Sequence, residues 1–152
     1  MQSMTLKKTF FALCASIACA SAQASDAPQC YSLQIKNMKE VARELGIPEV
    51  LCVDSIRLSG KSVKIRGKGL PSEVSAEVRG TAQLSRVSAT LLSSSIDEGI
   101  CSRTASASLT VTFVADEKGF PVSDIRFSGV ISDTSDNCHL NGESEFIEYI
   151  RN

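Results

Sequence analysis

The sequence predicts an α+β fold that is mostly β, with one N-terminal helix packed on a curved antiparallel meander of about seven strands, either closed into a barrel or partly open. Three observations carry this expectation. Apolar residues recur at every second position through most of the chain, short turn-forming clusters separate those runs, and one early stretch has the spacing of a helix instead.

Ahead of these elements stands MQSMTLKKTFFALCASIACASAQA. Lys7 and Lys8 precede an apolar run from Phe10 to Ala20, and Ala22-Gln23-Ala24 supplies a small-x-small exit. A charged start, an apolar stretch shorter than the roughly 20 residues a spanning helix needs, and such an exit define a cleaved secretory signal peptide. Residues 1–24 are therefore expected to be removed, leaving residues 25–152 as one disulfide-stapled domain without a transmembrane segment. Cys14 and Cys19 lack the leucine-small-small approach of an acylated lipoprotein cysteine: bulky Leu13 precedes the first, and Ser16-Ile17-Ala18 the second.

The helix is expected to begin at Asn37, with Glu40 three residues on as in a capping box, and to bury Met38, Val41, Ala42 and Leu45. Gly46 and Ile47-Pro48 end it. Strands follow at Val53 to Ser59 and Ser62 to Lys68, then at Val74, Ala76 and Val78, which alternate with Glu73, Ser75, Glu77 and Arg79. Ala82 and Leu84 share one parity and Val87, Ala89 and Leu91 the other, which predicts a β-bulge near Ser85-Arg86.

The cleanest alternation runs from Ser102 to Val114, with Ala105, Ala107, Leu109, Val111 and Phe113 on one face and threonines and serines on the other. Asp116-Glu117-Lys118-Gly119 makes a turn, and Val122 to Ser132 resumes with Ile125, Phe127 and Ile131 in phase. A last strand is expected to bury Leu140, Phe146 and Ile150 and to carry its acidic residues outward. The fragment VTFVADEKGFPVSDIRFSG locally resembles the strand, acidic turn, glycine, strand pattern of TonB C-terminal domains. Where that family continues into a helix, this chain has the breaker cluster Ser132 to Asn137, so no function is carried over.

The domain retains Cys30, Cys52, Cys101 and Cys138, an even number without C-x-x-C spacing, which reads as two disulfides in an oxidising compartment. A hairpin centred near Glu117 or Lys118 brings residue 101 within reach of Cys138, so Cys101 is expected to join Cys138, and Cys30 to join Cys52 by elimination. Charge is unevenly spread. Residues 53–91 hold seven cations against three anions, and residues 92–152 hold four against ten.

The densest basic stretch is RLSGKSVKIRGKG, with Arg57, Lys61, Lys64, Arg66 and Lys68. A phosphate-binding loop is excluded, because Ser55 stands where its first glycine belongs and no helix pattern follows Ser62. As a hairpin the stretch turns Val63 and Ile65 inward and its cations outward, making either a solvated strand face or a candidate anion-binding surface. Phe, Tyr and Trp are absent between Tyr31 and Phe113, which argues against stacking on nucleic acid.

No catalytic residues, cofactor or metal site is expected. His139 is the single histidine, and a triad with Ser135 or Ser144 and Asp133 or Asp136 lacks a nucleophile elbow. The run Asp133 to Ser144 has Cys138 where an EF-hand needs glycine and Ser144 where it needs glutamate. Asp97 and Glu98 read as turn residues beside Gly99. Asp133, Asp136, Glu143 and Glu145 form a candidate acidic surface for a basic protein. The expectation is an exported, periplasmic or secreted binding module, not an enzyme, that engages another protein such as a hydrolase it inhibits. The alternative is an envelope carrier of an anionic amphiphile or lipid.

Overall fold

A computed structural model describes residues 27–81, 83–99, 103–134 and 142–152. The expected signal peptide, Cys101, Cys138, Asp136 and His139 lie outside the described residues.

Among the described residues eight strands follow one another: β1 (Gln29–Gln34), β2 (Val50–Ser59), β3 (Ser62–Lys68), β4 (Glu73–Gly80), β5 (Leu84–Asp97), β6 (Thr104–Asp116), β7 (Pro121–Thr134) and β8 (Gly142–Arg151). Each pairs antiparallel with the next, and β8 pairs with β1 through Tyr31 opposite Arg151 and Leu33 opposite Tyr149. The meander thus closes into a barrel, which removes the free sheet edges an open meander would leave. The strand not anticipated is β1, although Tyr31, Leu33 and Ile35 alternate there with Ser32, Gln34 and Lys36.

The inward parity of each strand supplies one continuous core. Leu51, Ile65, Leu109, Phe127, Ile131 and Ile147 are completely or almost completely enclosed. The Tyr31 ring meets Phe127 edge-on at 4.9 Å between centroids. In β6 the predicted face is buried throughout, and Ala105, Ala107 and Ala115 are its small members beside the larger Leu109, Val111 and Phe113. Gly129 sits in the same layer because an added Cβ would meet the Ser108 carbonyl oxygen at 2.0 Å, so β7 passes β6 more closely there than a side chain permits.

Three local expectations are corrected. The helix α1 (Lys39–Glu44) is only six residues long and follows β1 instead of preceding every strand. One and a half turns cannot hold themselves together in water, so α1 depends on what it packs against. Met38, Ala42, Leu45 and Ile47 are buried as a plug in one mouth of the barrel. Asn37 does not cap it: the N-cap position is Met38, without a side-chain cap.

The bulge of β5 lies between Thr90 and Leu92, not at Ser85-Arg86. Leu84 is exposed on the outer wall, so Val87, Ala89 and Leu91 simply form the inner set until the extra residue shifts that role to Ser94 and Ile96. In β8 the expected phase is reversed. Ile147 and Tyr149 point inward opposite Gly129 and Phe127, where the missing side chain of Gly129 leaves space, and Phe146 and Ile150 face solvent. Leu140 lies outside the described residues.

The far mouth is covered by the β6–β7 turn. Gly119, with φ at +85°, lays its carbonyl against β2 and accepts from the Leu58 N–H at 2.7 Å. Among the described residues no helix is long and apolar enough to cross a membrane.

Candidate functional site

The basic hairpin forms as expected. Val63 and Ile65 are buried, Lys64, Arg66 and Lys68 stand on the outer wall, and Gly60 and Lys61 make the turn. Arg57 is directly opposite Lys64 across the β2–β3 ladder, and like charges in that position repel. The Arg57 guanidinium lies over the exposed ring of Phe120, 5.2 Å from its centroid, a contact that holds the cation without a carboxylate. Among the described residues no carboxylate reaches ion-pair distance of any of the five hairpin cations.

The three described acidic candidates, Asp133, Glu143 and Glu145, are neighbours in the β7–β8 ladder, but two of them are committed to other groups of the chain. Glu145 turns toward the α1 end, where Oε1 accepts from the N–H of Lys36 at 2.5 Å and Oε2 from those of Asn37 and Met38 at 3.0 and 2.9 Å. It thereby satisfies the Met38 N–H at the N-cap position and the two N–H groups just ahead of the helix. Desolvation pushes its carboxyl pKa up, but the three backbone donors together outweigh that and hold it below its ordinary value.

Asp133 receives the Arg103 guanidinium on both oxygens, at 3.1 and 3.2 Å from Nε. The same guanidinium reaches Glu44 of α1 at 2.6 Å. Hydrogen bonds to Asp133 first and Glu44 second raise the Arg103 pKa further. Glu143 remains exposed, opposite Asp133 in the ladder, and Asp136 lies outside the described residues.

These contacts make a lock for the plug that sequence patterning did not reveal. Ser94, inward after the β5 bulge, donates to the Leu45 carbonyl at 2.6 Å, and the Tyr149 hydroxyl donates to the Pro48 carbonyl at 2.6 Å. Burial raises the Tyr149 pKa. Asp97 accepts from the Gly99 N–H at 3.1 Å, as a turn residue does. Asp133, the described aspartate of the histidine triad and calcium loop that the sequence argues against, is committed to Arg103.

The outer wall of β7, β8, β1 and β2 carries a feature that the sequence pattern does not disclose, because β8 has apolar residues on both parities. Val130 and Phe146 are directly opposite each other and are 45% and 65% exposed. Further along the same wall, Ile150, Ser32 and Val50 stand in one line across three strands, and Ile150 and Val50 are each about half exposed. Glu148, opposite Ser128, is the charged residue set between the two groups, and serines 108, 132 and 144 surround them. Exposed aromatic and aliphatic groups in charge-poor surroundings have the composition of an interface centre.

A second feature is a concavity of about 470 Å³ on the wall of β4 to β7, lined in part by Arg79, Arg86, Thr112, Asp124 and Arg126. A shallower one of about 600 Å³ adjoins it and shares Glu77 and Ser88.

The cysteines of the first expected bridge are neighbours on β1 and β2. Cys30 and Cys52 are paired in register and joined, with Cα atoms 4.1 Å apart. Such a bond is compatible with an oxidising compartment. Comparison with protein-family models, with curated proteins and with solved structures finds no match to this chain.

Proposed function

We propose that this chain is an exported, non-enzymatic binding module that engages another protein through the outer wall of its barrel. The carrying observation is the directly opposed, solvent-facing pair Val130 and Phe146, continued by Ile150 and Val50, in surroundings where the nearby charge is Glu148. Burying an exposed side chain of this size contributes about 1.5–3 kcal/mol, and the aromatic ring is the anchor type most often found at interface centres. The matching partner presents an apolar surface with a cation placed to meet Glu148.

A core packed with Leu, Ile and Phe side chains favours recognition on the outside over storage of a guest within. Small exported domains held by disulfides include inhibitors of hydrolases, so inhibition of an envelope hydrolase is the first activity to assay.

The test is quantitative capture from an envelope extract by the wild type, by Phe146→Ser with Ile150→Ser, and by Lys64→Gln with Arg66→Gln. The captured protein is then purified and titrated against all three. The wall variant is expected to weaken binding by about tenfold or more, whereas the hairpin variant keeps it. Equal binding by wild type and wall variant overturns the reading. So does a purified protein that dimerises through the same residues, because the partner would then be a second copy.

The alternative, an envelope component holding an anionic amphiphile or lipid, is supported by the opposed Arg57 and Lys64. It predicts the converse outcome: vesicle binding that is lost in the hairpin variant alone.

A further inference from the structure

We infer that the concavity on the outer wall of β4 to β7 is a binding site for the phosphate group of a small phosphorylated polyol, separate from both the basic hairpin and the apolar wall.

The ladders place two rows of side chains across four strands. One row runs Glu77, Ser88, Thr112, Arg126, and the other runs Arg79, Arg86, Val114. Alternate residues between the rows, Val87 and Phe113, are buried, so both rows face solvent. The β6–β7 ladder shifts register on either side of Val114, and Asp124 adopts a positive φ of 56° beside it. Such bulges bend a sheet, and here the bent wall cups a volume of about 470 Å³.

The charges in this cup are not arranged for stability. Arg79 and Arg86 are directly opposite in register, which repels. Arg79 donates from Nε to Glu77 at 2.9 Å and is neutralised there. Arg86 and Arg126 have no carboxylate at ion-pair distance among the described residues, although Asp124 shares the lining.

Two uncommitted guanidiniums therefore flank a floor of hydroxyls from Ser88 and Thr112. Guanidinium forks match phosphate oxygens geometrically, and serine and threonine hydroxyls add donors. Asp124 and Glu77 can accept from ligand hydroxyls, so a bare inorganic anion uses only half of the site. A polyol phosphate uses both halves. It is met either as a free small molecule or as the headgroup of a glycerophospholipid.

Three probes separate the sources: glycerol 1-phosphate, inorganic phosphate, and vesicles of phosphatidylglycerol in phosphatidylcholine. Amide chemical shifts of the purified protein report where each acts, and calorimetry or cosedimentation reports how tightly. Glycerol 1-phosphate is expected to shift the amides of Ser88, Thr112 and Arg126 and to bind more tightly than inorganic phosphate. Arg86→Gln and Arg126→Gln are each expected to weaken it by about tenfold, because each removes a charge-assisted hydrogen bond. Lys64→Gln with Arg66→Gln is expected to leave it unchanged. Vesicle binding with the same arginine dependence assigns the lipid headgroup as the source.

Binding that is equal in all variants, or lost only in the hairpin variant, overturns the inference. So does the absence of shifts at Ser88 and Thr112 with every probe. All four substituted residues are exposed, so the barrel remains intact in each variant, and far-ultraviolet circular dichroism verifies it.

Discussion

The carboxylate of Glu145 holds the backbone N–H of Met38 at 2.9 Å, across 107 positions of the chain. It thereby ties the N-cap residue and the segment leading into the plug helix to β8. Because the three backbone donors depress its pKa, the ionised form stabilises the folded state. That contribution is complete above the ordinary glutamate value of about 4.5 and is lost as pH falls below it toward the depressed folded value. Wild type is therefore expected to lose stability below about pH 4.5 more steeply than Glu145→Gln, whose amide cannot be protonated there. Urea unfolding midpoints between pH 3 and pH 7 measure the difference, and parallel curves for the two proteins would sink the assignment.

Arg103 joins α1 to the barrel wall by bridging Glu44 and Asp133. Substitution by Gln should loosen the plug before the strands. Native-state hydrogen exchange is expected to show faster exchange at Ala42 and Leu45, whose N–H groups bond within the helix, with little change at Val111 of β6. Uniform acceleration at both places would mean that Arg103 acts on the whole fold.

At Gly119 two constraints coincide. Its φ is +85°, and an added Cβ would meet the Leu58 carbonyl oxygen at 2.1 Å. Gly119→Ala is expected to cost about 2 kcal/mol or more, because the turn must lift off β2 as well as adopt a strained φ. Gly60→Ala, with φ at +64° and open space around the Cβ, is the control. It should cost only about 1–2 kcal/mol, and equal losses at the two sites would argue that the β6–β7 turn does not close the barrel mouth.

Non-reducing peptide mapping is expected to give Cys30 with Cys52 and Cys101 with Cys138. The first pair closes a sequence separation of 22 residues, for which the chain-entropy model gives about 3 kcal/mol. Cys30→Ser with Cys52→Ser should lower the unfolding free energy by about that amount. Beyond the ladder pair Thr104 and Thr134, two residues on one side and three on the other separate it from Cys101 and Cys138 in sequence. Free thiols at those positions in protein isolated from its compartment would contradict the second pair.

The β-rich character and the β6–β7 hairpin were legible because Ala105 to Phe113 alternate without interruption and each neighbour in the ladder is local. Closure was not legible. It depends on Tyr31 meeting Arg151, and no local pattern encodes a contact between strands so far apart in sequence. The phase of β8 misled because Phe146 and Ile150 are as apolar as Ile147 and Tyr149. Only the gap at Gly129 decides which pair goes inside, and that gap belongs to another strand. The basic hairpin was readable since its five cations are adjacent in sequence. Arg79, Arg86 and Arg126 were not, because three separate strands bring them to one cup. Glu143 and Glu145 share one parity and look alike as charges, but only Glu145 lies level with the N–H groups that lead into the plug helix, a position that period two does not specify.

The seam between β1 and β8 also governs when this molecule can mature. Tyr31 meets Arg151, and the Asn152 N–H bonds the Cys30 carbonyl at 3.0 Å, so β1, already paired with β2, gains its second neighbour only when β8 is in place. Loss of residues 148–151 would leave β1 paired on one side alone and reopen a sticky flank. A barrel so arranged closes late and slowly, since its decisive ring closure is the pairing most distant in sequence.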